Sequence, residues 1–242
     1  MKNVILDFKG FSKEIFSFLT DLKKNNSISW FHENKDRYQN SLVVPSKSFI
    51  SAVGPFFTRL NPAIRTEPKF NHTIMRLNKD MRFNKGEPYR PFLLIHFGRF
   101  KLDSEFYLYF NTNGAQVGLF INNTSSEQLY FKKNLDKYRK EIEDVCNRYK
   151  INNNFSLSDL EDEDNVISPK FIFSKHFEII KKTEHILIQQ SKKIKSNILY
   201  SDLVIDYFIK MVSQLYPLYC FTISPQPFKE LKKFEDNIGD IV

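Results

Sequence analysis

Apolar residues recur every three or four positions early in the chain and every second position in its middle, and this change of period divides it. From Phe11 to Lys24, the side chains of Ile15, Phe16, Leu19 and Leu22 are spaced for one helix face, with Ser12 placed to cap it. Asn25-Asn26-Ser27 predicts a turn. Trp30, Phe31, Asn34, Tyr38 and Leu42 then predict a second helix, anchored by Trp30 and Phe31 and stopped by Pro45. A third helix, Ser46 to Leu60, aligns Phe49, Val53, Phe56, Phe57 and Leu60, with Gly54-Pro55 expected to kink or split it.

Between His72 and Phe100 the period falls to two. Taken as a strand, Arg76, Asn78, Asp80 and Arg82 share one face, and Met75, Leu77, Met81 and Phe83 line the other. Lys85-Gly86-Glu87-Pro88 breaks the pattern as a turn, and Phe92-Leu93-Leu94-Ile95 restarts an apolar run of strand length. The clearest hairpin signal joins Glu105–Asn111 to Ala115–Ile121 through Thr112-Asn113-Gly114, because Asn-Gly supplies the positive φ angles of a tight turn. Phe106, Leu108 and Phe110 match Val117, Leu119 and Ile121 across the pair, while Tyr107, Tyr109 and Phe120 cover the other side. Aromatics on both faces point to a sheet packed by helices on one or both sides.

Helical spacing returns at Leu135, Tyr138, Ile142, Val145 and Tyr149. Asn152-Asn153-Asn154 and the acidic cluster Asp159 to Asp164 predict a polar loop, and Pro169 to Phe173 one more strand. Ser201 is placed to cap a last long helix through Val204, Phe208, Met211 and Leu215, ended by Pro217, and Phe228 to Glu235 predicts a short terminal helix. The expected fold is α+β: a mainly antiparallel sheet with an Asn-Gly hairpin, covered by N-terminal and C-terminal helices. One domain is expected over residues 1–242, with a helical N-terminal part (11–60), a sheet part (about 70–122) and a helical C-terminal part (about 127–236).

Composition adds that the core is aromatic, with 25 Phe and 11 Tyr against 7 Gly in 242 residues. No apolar run is long enough to span a bilayer, so no membrane partner is expected. Cys146 and Cys220 lie far apart in no metal-binding spacing, and MKNVILDF lacks the apolar stretch and cleavage site of a signal peptide. A cytoplasmic protein with reduced thiols is expected. There is no internal repeat, Gly-rich phosphate loop or long heptad pattern.

Charge narrows the search. The net charge is +8, and residues 69–101 concentrate eight basic side chains (Lys69, Arg76, Lys79, Arg82, Lys85, Arg90, Arg99, Lys101) against Asp80 and Glu87, whereas residues 102–158 balance. Asp80 lies two residues from Arg82 and four from Arg76, so its carboxylate can hold a guanidinium fork in one orientation, and an oriented Arg binds phosphate or carboxylate. Lys85, Tyr89 and Arg90 follow on a Pro-fixed turn and can add donors. The candidate ligand-binding residues are therefore Arg76, Asp80, Arg82, Lys85, Tyr89 and Arg90, with Asp80 as orienter and Tyr89 as donor. The same block also reads as an internal salt-bridge network that staples the strand to the helix of Asn34 and Lys35 and binds nothing.

No nucleophile and base are placed together, so no catalytic residue is assigned. His32, His72, His96, His176 and His185 show no metal-ligand spacing, and neither metal nor cofactor is expected. Two functions remain: binding of a small anionic or phosphate-bearing ligand, or a non-enzymatic module that meets a protein or nucleic acid. Nucleic acid ranks lower, because apolar strands interrupt the basic window. The oligomeric state does not follow from the pattern.

Two blocks carry a resemblance: Leu22-x-x-Asn25-Asn26-x-x-x-Trp30-Phe31-x-x-Asn34-Lys35-x-x-Tyr38, with a later Pro45, and Arg76-x-x-x-Asp80-x-Arg82-Phe83-x-Lys85-x-x-Pro88-Tyr89-Arg90. From about Phe11 to about Leu218 the chain resembles DUF2461, a family of uncharacterised bacterial and fungal proteins. The family's second block usually reads Arg-x-x-Arg-Asp-x-Arg-Phe-Ser-x-Asp-Lys-x-Pro-Tyr-Lys. Here Lys79 replaces the second Arg, Asn84 the Ser and Arg90 the final Lys, and Gly86-Glu87 stand where the family has Asp-Lys, in a stretch one residue shorter. The resemblance implies a shared architecture and no assigned activity.

Overall fold

In the computed structural model, which describes residues 8–82, 86–160 and 166–238, α1 (Glu14–Lys24) buries Ile15, Phe18, Leu19 and Leu22. Its N-cap is Lys13, not Ser12, which lies two residues before the helix. Ser27 caps α2 (Ile28–Glu33), its hydroxyl accepting the Trp30 N–H at 3.3 Å, and Asn34 separates α2 from α3 (Lys35–Tyr38). Pro45 does not stop the chain's helical path. A π-helical turn (Gln39–Val43) leads into α4 (Val44–Leu60), and Pro45 falls in the first turn of α4, where a missing N–H costs nothing. The new helix runs through Gly54-Pro55 without splitting, and buries Phe49, Ile50, Val53, Phe56 and Phe57.

Six strands form one antiparallel sheet in the order β1 (Leu93–Phe97), β2 (Glu105–Asn111), β3 (Gly114–Asn122), β6 (His185–Gln190), β4 (Phe155–Asp159) and β5 (Val166–Ser168). The β2–β3 hairpin pairs Phe106 with Leu119 and Leu108 with Val117, so alternation alone placed these side chains correctly. Of Asn113 and Gly114 only Gly114 takes a positive φ, +140°, and it pairs with Asn111 as the first residue of β3. The turn itself is therefore Thr112-Asn113, where Asn111 Oδ1 accepts the Asn113 N–H at 2.8 Å. The stretch read as a polar loop departs from expectation, since β4 starts directly after Asn154. Its Phe155 and Leu157 and the Ile186 and Ile188 of β6 are all buried. Residues 161–164 of the acidic cluster lie outside the described residues.

Around the sheet run α5 (Phe131–Lys137), α6 (Arg139–Arg148), α7 (Phe173–Lys182), α8 (Ser196–Leu199), α9 (Leu203–Ile223) and α10 (Pro227–Ile238). Residues 169–172 form no strand, and Phe173 opens α7. Ser201 closes α8, donating to the Asn197 carbonyl at 2.8 Å, and leaves the N-cap of α9 to Asp202. Pro217 sits inside α9, where Leu215, Tyr216, Leu218, Tyr219 and Phe221 are all buried and packing outweighs one lost backbone hydrogen bond. The aromatic core joins α4, α9 and the inner sheet face, with Phe57 stacked on Phe97 at 4.3 Å and Phe208 5.6 Å from Phe97. No helix among the described residues is long and apolar enough to cross a membrane. Cys146 and Cys220 are buried free thiols.

The stretch after His72 is not a strand. Met75 N–H donates to the Leu94 carbonyl at 3.0 Å and His96 N–H to that of Thr73 at 3.0 Å, so only a short piece lies along the free edge of β1. Beyond it, Asn78 bridges Tyr89 in a small irregular hairpin, with Lys79 N–H donating to the Pro88 carbonyl (2.8 Å) and Arg90 N–H to that of Leu77 (2.7 Å). Arg76, Asn78, Asp80 and Arg82 are exposed as the alternation predicts. On the opposite parity Leu77 is buried, Met81 is exposed, and Phe83 lies outside the described residues.

Candidate functional site

Asn26, in the turn between α1 and α2, holds the irregular hairpin against the N-terminal helices. Its Oδ1 accepts the Tyr89 N–H at 3.0 Å, and its Nδ2 donates to the Tyr89 carbonyl at 2.9 Å and to Glu87 Oε2 at 3.1 Å. The Tyr89 ring then stacks on Phe31 at 4.2 Å with 12° between planes, and Phe31 contacts Tyr38 at 5.1 Å. Phe18 of α1 supports this layer, 5.6 Å from Trp30 and 5.9 Å from Tyr38. Asn34 Nδ2 caps the Trp30 carbonyl at 2.9 Å where α2 gives way to α3.

A cleft of about 360 Å3 opens where these parts meet. The helices contribute Phe31, His32, Lys35 and Tyr38; the facing segment contributes Phe70, Arg76, Leu77 and Asn78, and the hairpin contributes Tyr89. The Arg76 guanidinium sits over the Phe70 ring, 5.7 Å from its centre. Among the described residues no carboxylate pairs with Arg76 or Lys35. Elsewhere Arg37 meets Asp21 at 2.9 Å, Arg65 meets Glu105 at 3.3 Å and Arg99 meets Asp103 at 2.8 Å. Burial pushes the Tyr38 phenol up to about 12 although the Arg76 charge pulls it down, and burial raises Tyr89 as well. Both phenols are therefore neutral donors at physiological pH. A second depression of about 340 Å3 mixes Asp159 and Glu184 with Lys182 and lacks this excess of positive charge.

Of the residues singled out from the sequence, Arg76 and Tyr89 line the cleft. Asp80 and Arg82 bond to each other instead, Nε to Oδ1 at 3.0 Å and Nη2 to Oδ2 at 2.7 Å, on an exposed turn. The hydrogen bonds from Arg82 hold the Asp80 carboxyl below the usual carboxylate range. Arg90 Nη1 donates to the Asn78 carbonyl at 2.9 Å and so braces the hairpin. Lys85 lies outside the described residues. Asp80 and Arg82 are both exposed, whereas Asp103, paired with Arg99, is buried. Lys35, His32, Phe31 and Tyr38 were not among the candidates, although Phe31, Lys35 and Tyr38 recur at helical spacing and so share a face.

Fold and cleft together define an α+β protein with a six-stranded antiparallel sheet and, beside its first strand, a cleft that is both aromatic and cationic. The chain belongs to the family described as conserved hypothetical protein (DUF2461), whose model matches residues 14–221. No curated protein and no solved structure matches it. The two blocks that carried the resemblance, some forty residues apart in the chain, both contribute to the lining of the cleft.

Proposed function

We propose that the protein binds a small phosphate-bearing or other anionic ligand in this cleft. The observation that carries the reading is the pair of cations, Arg76 and Lys35, lining a concave site with no carboxylate partner among the described residues. A guanidinium fork meets phosphate or carboxylate through two parallel hydrogen bonds, and the lysine adds a point charge. Tyr38 and Tyr89 offer neutral hydroxyl donors. Arg90 adds positive field that draws an anion toward the site, whereas the Asp80–Arg82 pair is neutral as a whole. No catalytic step is assigned, and a cytoplasmic location with reduced thiols belongs to the same reading.

The test is a thermal-shift screen of wild type and Arg76→Ala against inorganic phosphate, nucleotides, sugar phosphates, carboxylates and a short single-stranded DNA. Arg76 is exposed, so its loss should leave folding within about 0.5 kcal/mol of wild type. A ligand at ~100 times its dissociation constant stabilises the native state by about 2.7 kcal/mol, roughly 5–10 °C for a chain of this size. A shift in wild type that Arg76→Ala loses is the expected result; equal shifts in both proteins would remove the cleft from consideration. A DNA response that falls steeply with salt and survives in Arg76→Ala would favour the nucleic-acid module.

A further inference from the structure

We infer that the anion taken by the cleft carries a planar aromatic ring, as a nucleoside 5′-monophosphate does; this rests on the anion-binding reading above. The apolar part of the lining is almost wholly aromatic, with Phe31, Tyr38, Phe70 and Tyr89 against the single aliphatic Leu77. Rings recognise rings through offset stacking and edge contacts, and a flat body gains most from such walls. Tyr38 and Tyr89 are themselves buried, so the ring surface that a bare phosphate or a compact sugar phosphate would leave against water is that of the half-buried Phe31 and Phe70. The volume, about 360 Å3, falls within the range of sites for whole small molecules, roughly 300–1,000 Å3.

Charge and ring surface also lie side by side. The Arg76 guanidinium, the candidate phosphate contact, is held over the Phe70 ring, so a ligand whose phosphate meets Arg76 brings its remaining atoms to an aromatic surface. The neutral Asn78 amide offers two donors and an acceptor of the kind that reads the edge of a heterocycle. Among the described residues the lining has no carboxylate, so an ammonium-bearing ligand would meet Arg76 and Lys35 without a counter-charge. These features favour an anionic aryl or heteroaryl phosphate over an amino acid, a polyamine or a saturated sugar phosphate.

Titration calorimetry on the full chain would compare inorganic phosphate, ribose 5-phosphate, phenyl phosphate, AMP, UMP and a thymidine octamer at matched ionic strength, with the octamer repeated over a salt series and the small ligands repeated on Phe70→Leu and Arg76→Ala. Ring-bearing phosphates should bind wild type at least about tenfold more tightly than ribose 5-phosphate, the scale of one base on one aromatic side chain. That advantage should shrink in Phe70→Leu, and all binding should be lost in Arg76→Ala. Ribose 5-phosphate binding as tightly as AMP and phenyl phosphate would overturn the ring inference and leave the anion site standing. No binding by any phosphate would overturn both. A thymidine octamer that outbinds the mononucleotides, with a salt dependence of several phosphates, would replace the small ligand by a strand and overturn the inference. If Phe70→Leu fails to fold, the wild-type ligand series alone decides.

Discussion

Replacing Arg99 with methionine should cost this protein far more stability than removing an arginine at the exposed turn. Asp103 is fully buried, and its carboxylate accepts from Arg99 Nε at 2.8 Å, Arg99 Nη2 at 2.8 Å and the Arg99 backbone N–H at 3.0 Å. The guanidinium continues to the Ile223 carbonyl at 3.0 Å and the Gln128 carbonyl at 3.2 Å, which ties the β1–β2 connection to the C-terminal end of α9. Burial works against the Arg99 charge, but the hydrogen bonds and charge of Asp103 outweigh it and raise its pKa. Methionine keeps much of the packing and strands a buried carboxylate, a loss of about 3–5 kcal/mol. For a chain of this length that lowers the melting temperature by roughly 6–20 °C. Urea denaturation with matched calorimetry would measure it, with Arg82→Ala as the exposed control that should leave the transition where it is. Adding Asp103→Leu to Arg99→Met should recover part of the loss, because it removes the stranded charge but leaves the Arg99 N–H and the Tyr219 hydroxyl without their acceptor. An Arg99→Met protein within about 1 kcal/mol of wild type at unchanged urea dependence would refute the buried-pair argument, as would a double variant no more stable than the single one.

Two further outcomes follow from the cleft. Asn26→Ala removes the acceptor of the Tyr89 N–H and should cost about 1–3 kcal/mol, while weakening phosphate binding through loss of the Phe31–Tyr89 wall; unchanged melting and unchanged affinity would contradict the clamp. Tyr38 should titrate near pH 12, read by ultraviolet difference against Tyr38→Phe, and higher still in Arg76→Ala because the guanidinium charge now pulls it down. With its folded value above the unfolded one of about 10, Tyr38 contributes stability that is complete below pH 10 and lost as the pH rises through about 12. A Tyr38 value that Arg76→Ala leaves unmoved would separate the two side chains.

The candidate site was half legible before folding was considered. Alternation correctly exposed Arg76 and its same-parity neighbours, yet the stretch has no partner strand beyond the short piece beside β1, so it bends into a hairpin and sends Asp80 and Arg82 away from the cleft lining. From the sequence, Lys35 entered as part of the helix to which a salt-bridge network would staple the strand. Its place beside Arg76 depends on Asn26 gripping Tyr89, a contact between residues 63 positions apart. The i, i+4 spacing of Arg99 and Asp103 was equally visible, but only the end of α9 buries the pair.

By itself the sequence determined which faces are apolar. The helical stripes of α1, α4 and the first half of α9 and the register of the β2–β3 hairpin are periodic, and a period needs only neighbours along the chain. Tertiary structure alone decided the rest. It keeps Pro45, Pro55 and Pro217 within helical segments, and it inserts the short apolar run of β6 between β3 and β4. It also separates the charges that pair off from those left facing a cleft. These outcomes turn on packing and on distances between residues remote in the chain, and no local pattern records them.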